Sequence, residues 1–298
     1  MITVFGKVEE GVQPAQTETS IDDCVKDVWC IRVLLLVVVT HRQTNRVYVT
    51  TDCTRTCFSL PDCILAYVNP NQDCYLYNYT STQELVVLET TRAEGQYVSF
   101  KTNSTADTCP ASQEDVTLVV TIGVDIYNWN RTPTGWSFKK CMDDWKRFER
   151  ADNVVCMQWF PMIDGASRTE AQQMCADKGA VLSGVASITE CQWFHAFLLK
   201  LLAEDENYRG FWIDGVRNCS TDEPQCTNFD WTDGYTTGKD ALAESNMFNS
   251  FVDNGGTRIE NCLAITKNKD MPQTLNDASC VENISNWIIG AVCGYKLN

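Results

Sequence analysis

The sequence is poor in histidine, the residue on which many metal sites and hydrolytic centres depend. It contains two histidines, His41 and His195, in 298 residues. No second histidine lies near either one to complete a zinc site, and no Ser-His-Asp arrangement can be proposed. His195 follows Cys191 by four residues, and we interpret the two as residues of one helix face rather than as a catalytic or metal pair. We therefore expect a protein that is not an enzyme.

Positive charge is also scarce. Lys and Arg total 24 against 39 Asp and Glu, which gives a formal net charge of -15. A strongly acidic surface repels phosphate, so nucleic acid is excluded as a natural partner. An acidic net charge is compatible with an extracellular protein and with binding of hard cations such as Ca²⁺.

Long hydrophobic runs are missing. The apolar run at residues 31–39 is too short for a bilayer, which takes about 20 residues. It is β-branched and bounded by polar residues, so it predicts a buried strand and no membrane span. Residues 1–5 show no basic segment, apolar segment or cleavage site, so a signal peptide is not present in this chain.

Cysteine, by contrast, is abundant. The chain has 16 cysteines, and those of its second half lie at ordered distances from tryptophan and glycine. This pattern is typical of a disulfide framework around an aromatic core, and it predicts an extracellular, secreted protein. Five Asn-X-Ser/Thr sequons agree with secretion. They predict glycosylation at Asn78, Asn103, Asn130, Asn218 and Asn283.

The first domain is predicted at residues 1–112. Residues 53–63 predict a short helix that Asp52 caps and Pro61 ends. Strands are predicted after it at residues 64–68, 74–78, 84–88 and 97–100.

Most of residues 1–110 resemble the PAN/apple group, in the PAN-3/CW-type variant found beside lectin-like domains in invertebrate secreted proteins. The resemblance rests on Cys53-x3-Cys57-x5-Cys63-Ile-Leu-Ala-Tyr67, Cys74-Tyr-Leu-Tyr and Thr108-Cys109-Pro110. It implies the bridges Cys57–Cys63, Cys53–Cys74 and Cys24–Cys109. Residues 25–52 resemble an insertion, and Cys30 within them has no obvious partner.

A polar stretch that begins at Pro110 predicts a linker at residues 113–140, followed by a second domain at residues 141–298. Two capping-box motifs, at residues 167–170 and 187–190, predict the starts of two helices. The first helix is expected to stop at Gly179. Short strands and long polar loops follow, and helices followed by strands indicate an α+β fold.

This second domain resembles a C-type lectin-like domain over about 155 residues. The resemblance rests on ordered motifs: Cys141…Trp145…Phe148…Cys156, Ala171…Cys175…Gly179-Ala-Val-Leu182, Phe211-Trp-Ile-Asp-Gly215, Trp231-Thr-Asp-Gly234, Glu260-Asn-Cys262, Asn276-Asp277-x-x-Cys280 and Cys293. It implies an α+β fold with two helices, short antiparallel sheets and a long loop region. It also implies three bridges, Cys175–Cys293, Cys262–Cys280 and Cys141–Cys156.

Two cysteine questions remain within this domain. A local bridge is expected between Cys219 and Cys226. Cys191 is either a buried free thiol or the partner of another unpaired cysteine.

The resemblance further implies a sugar site built on Ca²⁺, since this ion takes six to eight oxygen ligands and can accept sugar hydroxyls as well. A loop motif, a Glu before a cysteine and an Asn-Asp pair supply the oxygens. Carried over to this chain, the ligand-binding residues are Asp253, Asn254, Glu260, Asn276 and Asp277. Of these, Asp253, Glu260, Asn276 and Asp277 would be the calcium ligands.

The chain departs from that pattern in the loop motif. The first oxygen ligand falls on Phe251, and the usual cis-proline falls on Val252. A cis peptide before a residue other than proline costs about 3–4 kcal/mol, so another loop shape is expected. The site therefore predicts calcium binding that is weak or absent.

Two functions remain open from the sequence. The first is extracellular recognition of glycans or glycoproteins on a surface, in innate defence, through a degenerate calcium site. The second is a lectin-like module that binds a protein ligand without calcium.

Overall fold

The structure is a computed structural model of the chain. It describes side chains for residues 52–80, 84–88, 97–102, 117–162, 164–201, 209–219, 228–243, 260–267, 275–281 and 287–297, and backbone alone for Glu89 and for five short strands before residue 49. Two compact units divide the chain, residues 1–143 and 144–298. Within the described residues, no helix has the length and apolarity that a membrane span requires.

The first unit consists of one helix and short strands among the described residues. The elements are β1 Phe5–Lys7, β2 Glu18–Ser20, β3 Cys30–Val33, β4 Leu35–Leu36, β5 Arg46–Tyr48, α1 Cys53–Ser59, β6 Cys63–Val68, β7 Cys74–Asn78, β8 Glu84–Glu89, β9 Tyr97–Lys101, β10 Val119–Ile122, β11 Asp125–Thr132 and β12 Gly135–Lys139. A five-stranded sheet has the order β3-β9-β6-β7-β5, a second has the order β10-β11-β12-β8-β4, and β1 pairs with β2.

Helix α1 begins and packs as its sequence predicts. The side chain of Asp52 accepts a hydrogen bond from the backbone N–H of Arg55 at 2.9 Å, which satisfies one free donor of the first turn. Its two buried cysteines, Cys53 and Cys57, lie on the face that packs on the sheet. The helix is thus joined covalently to the strands beneath it.

The structure differs from the sequence-based view at residues 113–140, because most of that predicted linker is folded. Strands β10, β11 and β12 form a meander, and β12 pairs antiparallel with β8 from an earlier part of the chain. Tyr127 and Trp129 are buried, whereas the neighbouring Asn128 and Asn130 are exposed, which is the alternation of a half-buried strand. The ring of Trp129 meets Phe100 of β9 edge to face, with centroids 4.8 Å apart.

The second unit is a mixed sheet with helices on both faces. The elements are β13 Lys146–Glu149, β14 Val154–Pro161, α2 Arg168–Asp177, β15 Val181–Leu182, α3 Ile188–Leu201, β16 Arg209–Arg217, β17 Phe229–Asp230, α4 Asp240–Ala243, β18 Cys262–Lys267, β19 Leu275–Ala278 and β20 Ile288–Leu297. The strand order is β13-β14-β20-β16-β18-β19, with β15 paired to β20 and β17 paired to β16. Among the described strands, all pairs are antiparallel except the parallel pair of β16 and β20.

Every residue of β18 is buried, because helices cover both faces of the sheet. Leu263 and Ile265 join one core cluster together with residues of α3. Cys262 and Ala264 join the other cluster together with residues of α2. The alternation of large and small residues along β18 therefore follows the two faces, with the larger side chains under α3.

Helix α2 has the predicted boundaries. The side chain of Ser167 accepts from the N–H of Glu170, and the carboxylate of Glu170 accepts from the N–H of Ser167, so the capping box is complete. Gly179 has φ of +71°, the left-handed conformation that ends helices and favours glycine.

Helix α3 has only half of its predicted capping box. The hydroxyl of Ser187 accepts from the N–H of Glu190 at 3.3 Å. The carboxylate of Glu190, however, accepts from the N–H of Ala186 at 2.7 Å and pairs with Arg150. The expected reciprocal bond gives way because a buried arginine competes for the same carboxylate.

Four disulfides have the pairings that the resemblances imply. They are Cys53–Cys74, Cys57–Cys63, Cys175–Cys293 and Cys262–Cys280. Cys141, Cys156 and Cys219 are also disulfide-bonded. The pairings Cys141–Cys156, Cys219–Cys226 and Cys24–Cys109 stay predictions, and the side chains of Cys24, Cys30, Cys109 and Cys226 lie outside the described residues.

Candidate functional site

Two paired strands place three of the five predicted ligand residues near one end of the second sheet. Glu260 stands two residues before β18, and Asn276 and Asp277 lie on β19. In the antiparallel register, Asp277 faces Leu263 and Asn276 faces Ala264. The Cys262–Cys280 disulfide joins the two strands beside them. Asp253 and Asn254, the other two predicted residues, lie outside the described residues.

A residue that the sequence reasoning missed, Arg217, lies at the centre of this group. It ends β16, and its backbone N–H donates to the carbonyl of Asn261 at 2.8 Å. Its Nε and Nη2 both donate to the carbonyl oxygen of Glu260, at 3.1 and 3.0 Å. Its Nη2 also donates to Oδ2 of Asp277. One guanidinium therefore binds two of the predicted calcium-site residues.

The aromatic ring of Phe229, on the neighbouring strand, lies against the guanidinium of Arg217. Arg217 pairs with Phe229 in the register of β16 and β17, and its guanidinium carbon lies 4.6 Å from the centre of the Phe229 ring. Stacking on an aromatic face stabilises a guanidinium that has left water. The sequence offers no distinct signal for this position, because β16 carries two other charged residues, Arg209 and Asp214.

The Arg217–Asp277 pair is shut off from solvent. The two side chains are 1% and 4% exposed. Burial raises the pKa of Asp277 to about 6, although the charge and hydrogen bond of Arg217 act to lower it. The loss of hydration around the carboxylate therefore raises its pKa more than the attraction of Arg217 lowers it. The buried polar atoms of the pair still have hydrogen-bond partners.

These residues, as placed, do not fit a calcium ion at Asp277. Calcium takes six to eight oxygen ligands, and Oδ2 of Asp277 is already bound by a guanidinium. A divalent cation within about 4 Å of that guanidinium would be opposed by roughly 8 kcal/mol at an effective dielectric constant of about 20. Within the part of the chain that the structure describes, no group of three or more His, Cys, Asp or Glu residues is arranged around a metal position.

A second buried carboxylate fixes the loop after β17. Asp214 accepts from Nη2 of Arg168 at 3.0 Å, from the hydroxyl of Thr232 at 2.6 Å and from the N–H of Asp233 at 2.9 Å. Asp233 in turn accepts from the N–H of Gly184 at 2.8 Å. These bonds explain why the Trp-Ile-Asp-Gly and Trp-Thr-Asp-Gly motifs occur together: the acid of the first motif holds the backbone of the second.

The Cys191 and His195 pair on α3 is buried in the core. Burial raises the pKa of the Cys191 thiol to about 12, with a further contribution from the charge of Glu190. A thiol that stays protonated at neutral pH is a poor nucleophile. Burial also lowers the pKa of His195, whose Nε2 has no hydrogen-bond partner among the residues that the structure describes.

Three of the five predicted glycosylation sites fall on described residues. Asn130 is exposed on β11. Oδ1 of Asn78 accepts from the hydroxyl of Thr80 at 3.2 Å, and Nδ2 of Asn218 donates to Asp230 at 2.5 Å. Asn103 and Asn283 lie outside the described residues.

The disulfide framework, the two helices and the site at the end of the sheet define a C-type lectin domain that follows a PAN-like domain. Residues 36–102 match the model of the PAN-like domain. Residues 146–296, half of the chain, match the model of C-type lectin domain-containing protein 141/158. The protein belongs to this C-type lectin domain-containing protein 141/158 family.

Several solved structures are similar to the chain at low identity. The mouse scavenger receptor C-type lectin carbohydrate-recognition domain is 20% identical, with 53% of this chain and 100% of that chain covered and a TM-score of 0.34. Herring type II antifreeze protein is 22% identical, with 53% and 100% covered and a TM-score of 0.32. The cow CD23 carbohydrate-recognition domain, solved in the presence of GlcNAc2Man3 oligosaccharide, is 21% identical, with 53% and 98% covered and a TM-score of 0.33. At these values the likeness is not evidence of function. No curated protein matches the chain.

Proposed function

We propose that the protein is an extracellular, glycosylated recognition protein that binds carbohydrate on cell surfaces or glycoproteins through its lectin domain, in innate defence. The observation that carries the proposal is that Glu260, Asn276 and Asp277 lie on, or just before, two paired strands at one end of the sheet. Glu260 and Asn276 are each partly exposed. Their carboxylate and amide groups are hydrogen-bonding partners of the kind that sugar hydroxyls use.

A second candidate is recognition of a protein ligand without calcium. The hydrogen bond from Arg217 to Asp277 favours this second candidate, because calcium-mediated contact with sugar hydroxyls would need the Asp277 carboxylate. The two candidates share the same end of the domain and differ in the ligand.

A glycan array probed with the secreted, oxidised full chain tests the first candidate. We expect binding to a set of glycans, reduced about tenfold by Asn276→Ala and by Glu260→Gln, as the loss of a charged or bidentate hydrogen bond implies. Lys239→Gln, which removes an exposed ion pair with Asp230, serves as the control and should leave binding unchanged. Absence of glycan binding by a folded, monodisperse sample would reject carbohydrate recognition and favour the protein ligand.

A further inference from the structure

We propose that the guanidinium of Arg217 is itself the cation of the predicted calcium site. It holds Asp277 and the Glu260 carbonyl in place, so the end of the lectin sheet is organised without calcium. The inference concerns the cofactor of the proposed binding site, and only its bearing on ligand binding rests on the proposed function.

The contacts of Arg217 are those of a cation held by oxygen atoms. Three N–H···O hydrogen bonds run to oxygens of Glu260 and Asp277. Glu260 precedes β18 and Asp277 lies on β19, so the guanidinium connects two neighbouring strands. The planar fork of arginine suits such convergent acceptors better than a point charge does.

The position of Arg217 is fixed from several strands. Its backbone bonds to Asn261 before β18, its ring partner Phe229 lies on β17, and its carboxylate partner lies on β19. A side chain that is 1% exposed and held from three directions is part of the folded scaffold. It is therefore present in every folded molecule, unlike an ion that must be bound from solution.

Little unbalanced negative charge remains at this site to attract a calcium ion. Calcium affinity rises with the number of charged ligands, and the charge of Asp277 is already matched by that of Arg217. Among Glu260, Asn276 and Asp277, only the Glu260 carboxylate then brings a negative charge that Arg217 does not balance.

Thermal melting of the secreted full chain in calcium or in EDTA is the first measurement. We expect a Tm difference below about 1 °C. A bound ion with a Kd one hundredth of the calcium concentration would raise Tm by roughly 5–10 °C in a domain of this size. A rise of that size in the wild type that Asn276→Ala abolishes would overturn the proposal.

Variants of Arg217 form the second measurement. Arg217→Gln should lower Tm by several degrees, and calcium should then raise it, because the carboxylate of Asp277 and the backbone carbonyl of Glu260 lose the cation that joins them. Arg217→Lys keeps the positive charge and should lose less than Arg217→Gln. The matched control Lys239→Gln should melt like the wild type, since it neutralises a cation of an exposed pair. An Arg217→Gln protein that melts like the wild type would overturn the proposal.

Failure to fold by Arg217→Gln leaves the wild-type calcium melt to decide. Ligand binding in the two buffers separates this inference from the proposed function. Glycan binding that EDTA abolishes would overturn the role of Arg217 and keep carbohydrate recognition. Equal binding in calcium and EDTA supports both, and an unchanged Tm without any glycan binding rejects only carbohydrate recognition.

Discussion

The carboxylate of Asp277 lies in a dry pocket beside the guanidinium of Arg217, at the end of a strand whose other residues are largely apolar. A buried ion pair loses the hydration of both charges, and the mutual attraction returns that loss only when the hydrogen bonds are well made. Here burial prevails at the carboxylate, and the pKa of Asp277 rises to about 6. The pair therefore orders the end of the sheet at some expense in stability.

That raised pKa makes a prediction about acid. The folded protein binds a proton at Asp277 more tightly than the unfolded chain, whose carboxyl has its ordinary pKa of 3.8. The contribution of this group to stability is thus fully present below about pH 4 and is lost as the pH rises through about 6. Compared with Asp277→Asn, which stays neutral, the wild type should lose roughly 3 kcal/mol of unfolding free energy between about pH 3.5 and pH 7.

Urea titrations of both proteins at several pH values measure this difference. The comparison cancels the other titrating groups, because they are common to the two proteins. A difference that stays constant across the range, or that grows in favour of the wild type toward neutral pH, would contradict the raised pKa.

Helix α3 is held by another buried charge pair, between Glu190 in its first turn and Arg150 after β13. Nε and Nη2 of Arg150 donate to the two carboxylate oxygens of Glu190 at 2.9 and 2.8 Å, the bidentate geometry that arginine favours. Nη1 donates to the hydroxyl of Thr236, and Nη2 also donates to the carbonyl of Gly184. The helix start, the hairpin of β13 and β14 and the loop after β17 are thereby joined.

Neutralising Glu190 should lower the unfolding free energy of the protein. Glu190→Gln leaves the charge of Arg150 buried without a matching anion, which is expected to cost about 3–5 kcal/mol of unfolding free energy. Glu149→Gln is the matched control, because Glu149 pairs with Arg147 but is 72% exposed, and it should cost less than about 1 kcal/mol. Urea denaturation measures both variants. If the two lose the same unfolding free energy, the buried pair of Arg150 and Glu190 stabilises the protein no more than an exposed pair does.

The sequence predicted most of these helices and strands, but it did not predict the tertiary contacts that connect them. The starts of α1 and α2 and the end of α2 were predictable because capping depends on residues within one turn. The reciprocal capping bond of α3 was wrongly expected, since Arg150, 40 residues away, takes the Glu190 carboxylate. Likewise β12 gains its partner from β8, which no local pattern reveals.

At the scale of the whole molecule, disulfides link parts of the lectin domain that are distant along the chain. Cys175–Cys293 closes a separation of 118 residues, and Cys262–Cys280 closes one of 18. The longer bridge removes more freedom from the unfolded chain in the chain-entropy model.

The two bridges should therefore differ in their effect on stability. Replacing Cys175 and Cys293 by alanine should cost about 5 kcal/mol, and replacing Cys262 and Cys280 by alanine about 3 kcal/mol. Denaturant titrations of both double variants measure this. A larger loss from the shorter bridge would show that strain or packing at Cys262–Cys280, beside Glu260 and Asp277, outweighs the entropy of the unfolded chain.

The sequence by itself predicted the C-type lectin and PAN-like domains, four disulfide pairings, the start of α1 and both ends of α2, because each of these follows from residue types at ordered positions along the chain. It also predicted three polar residues that lie on, or just before, two paired strands at the end of the lectin sheet. Tertiary structure alone decided what two of them, Glu260 and Asp277, contact. Arg217 and Asp277 are 60 residues apart along the chain, and only the pairing of β16, β18 and β19 brings the guanidinium to the carboxylate. A buried charge takes the partner that folding places beside it, and spacing along the sequence does not specify that partner.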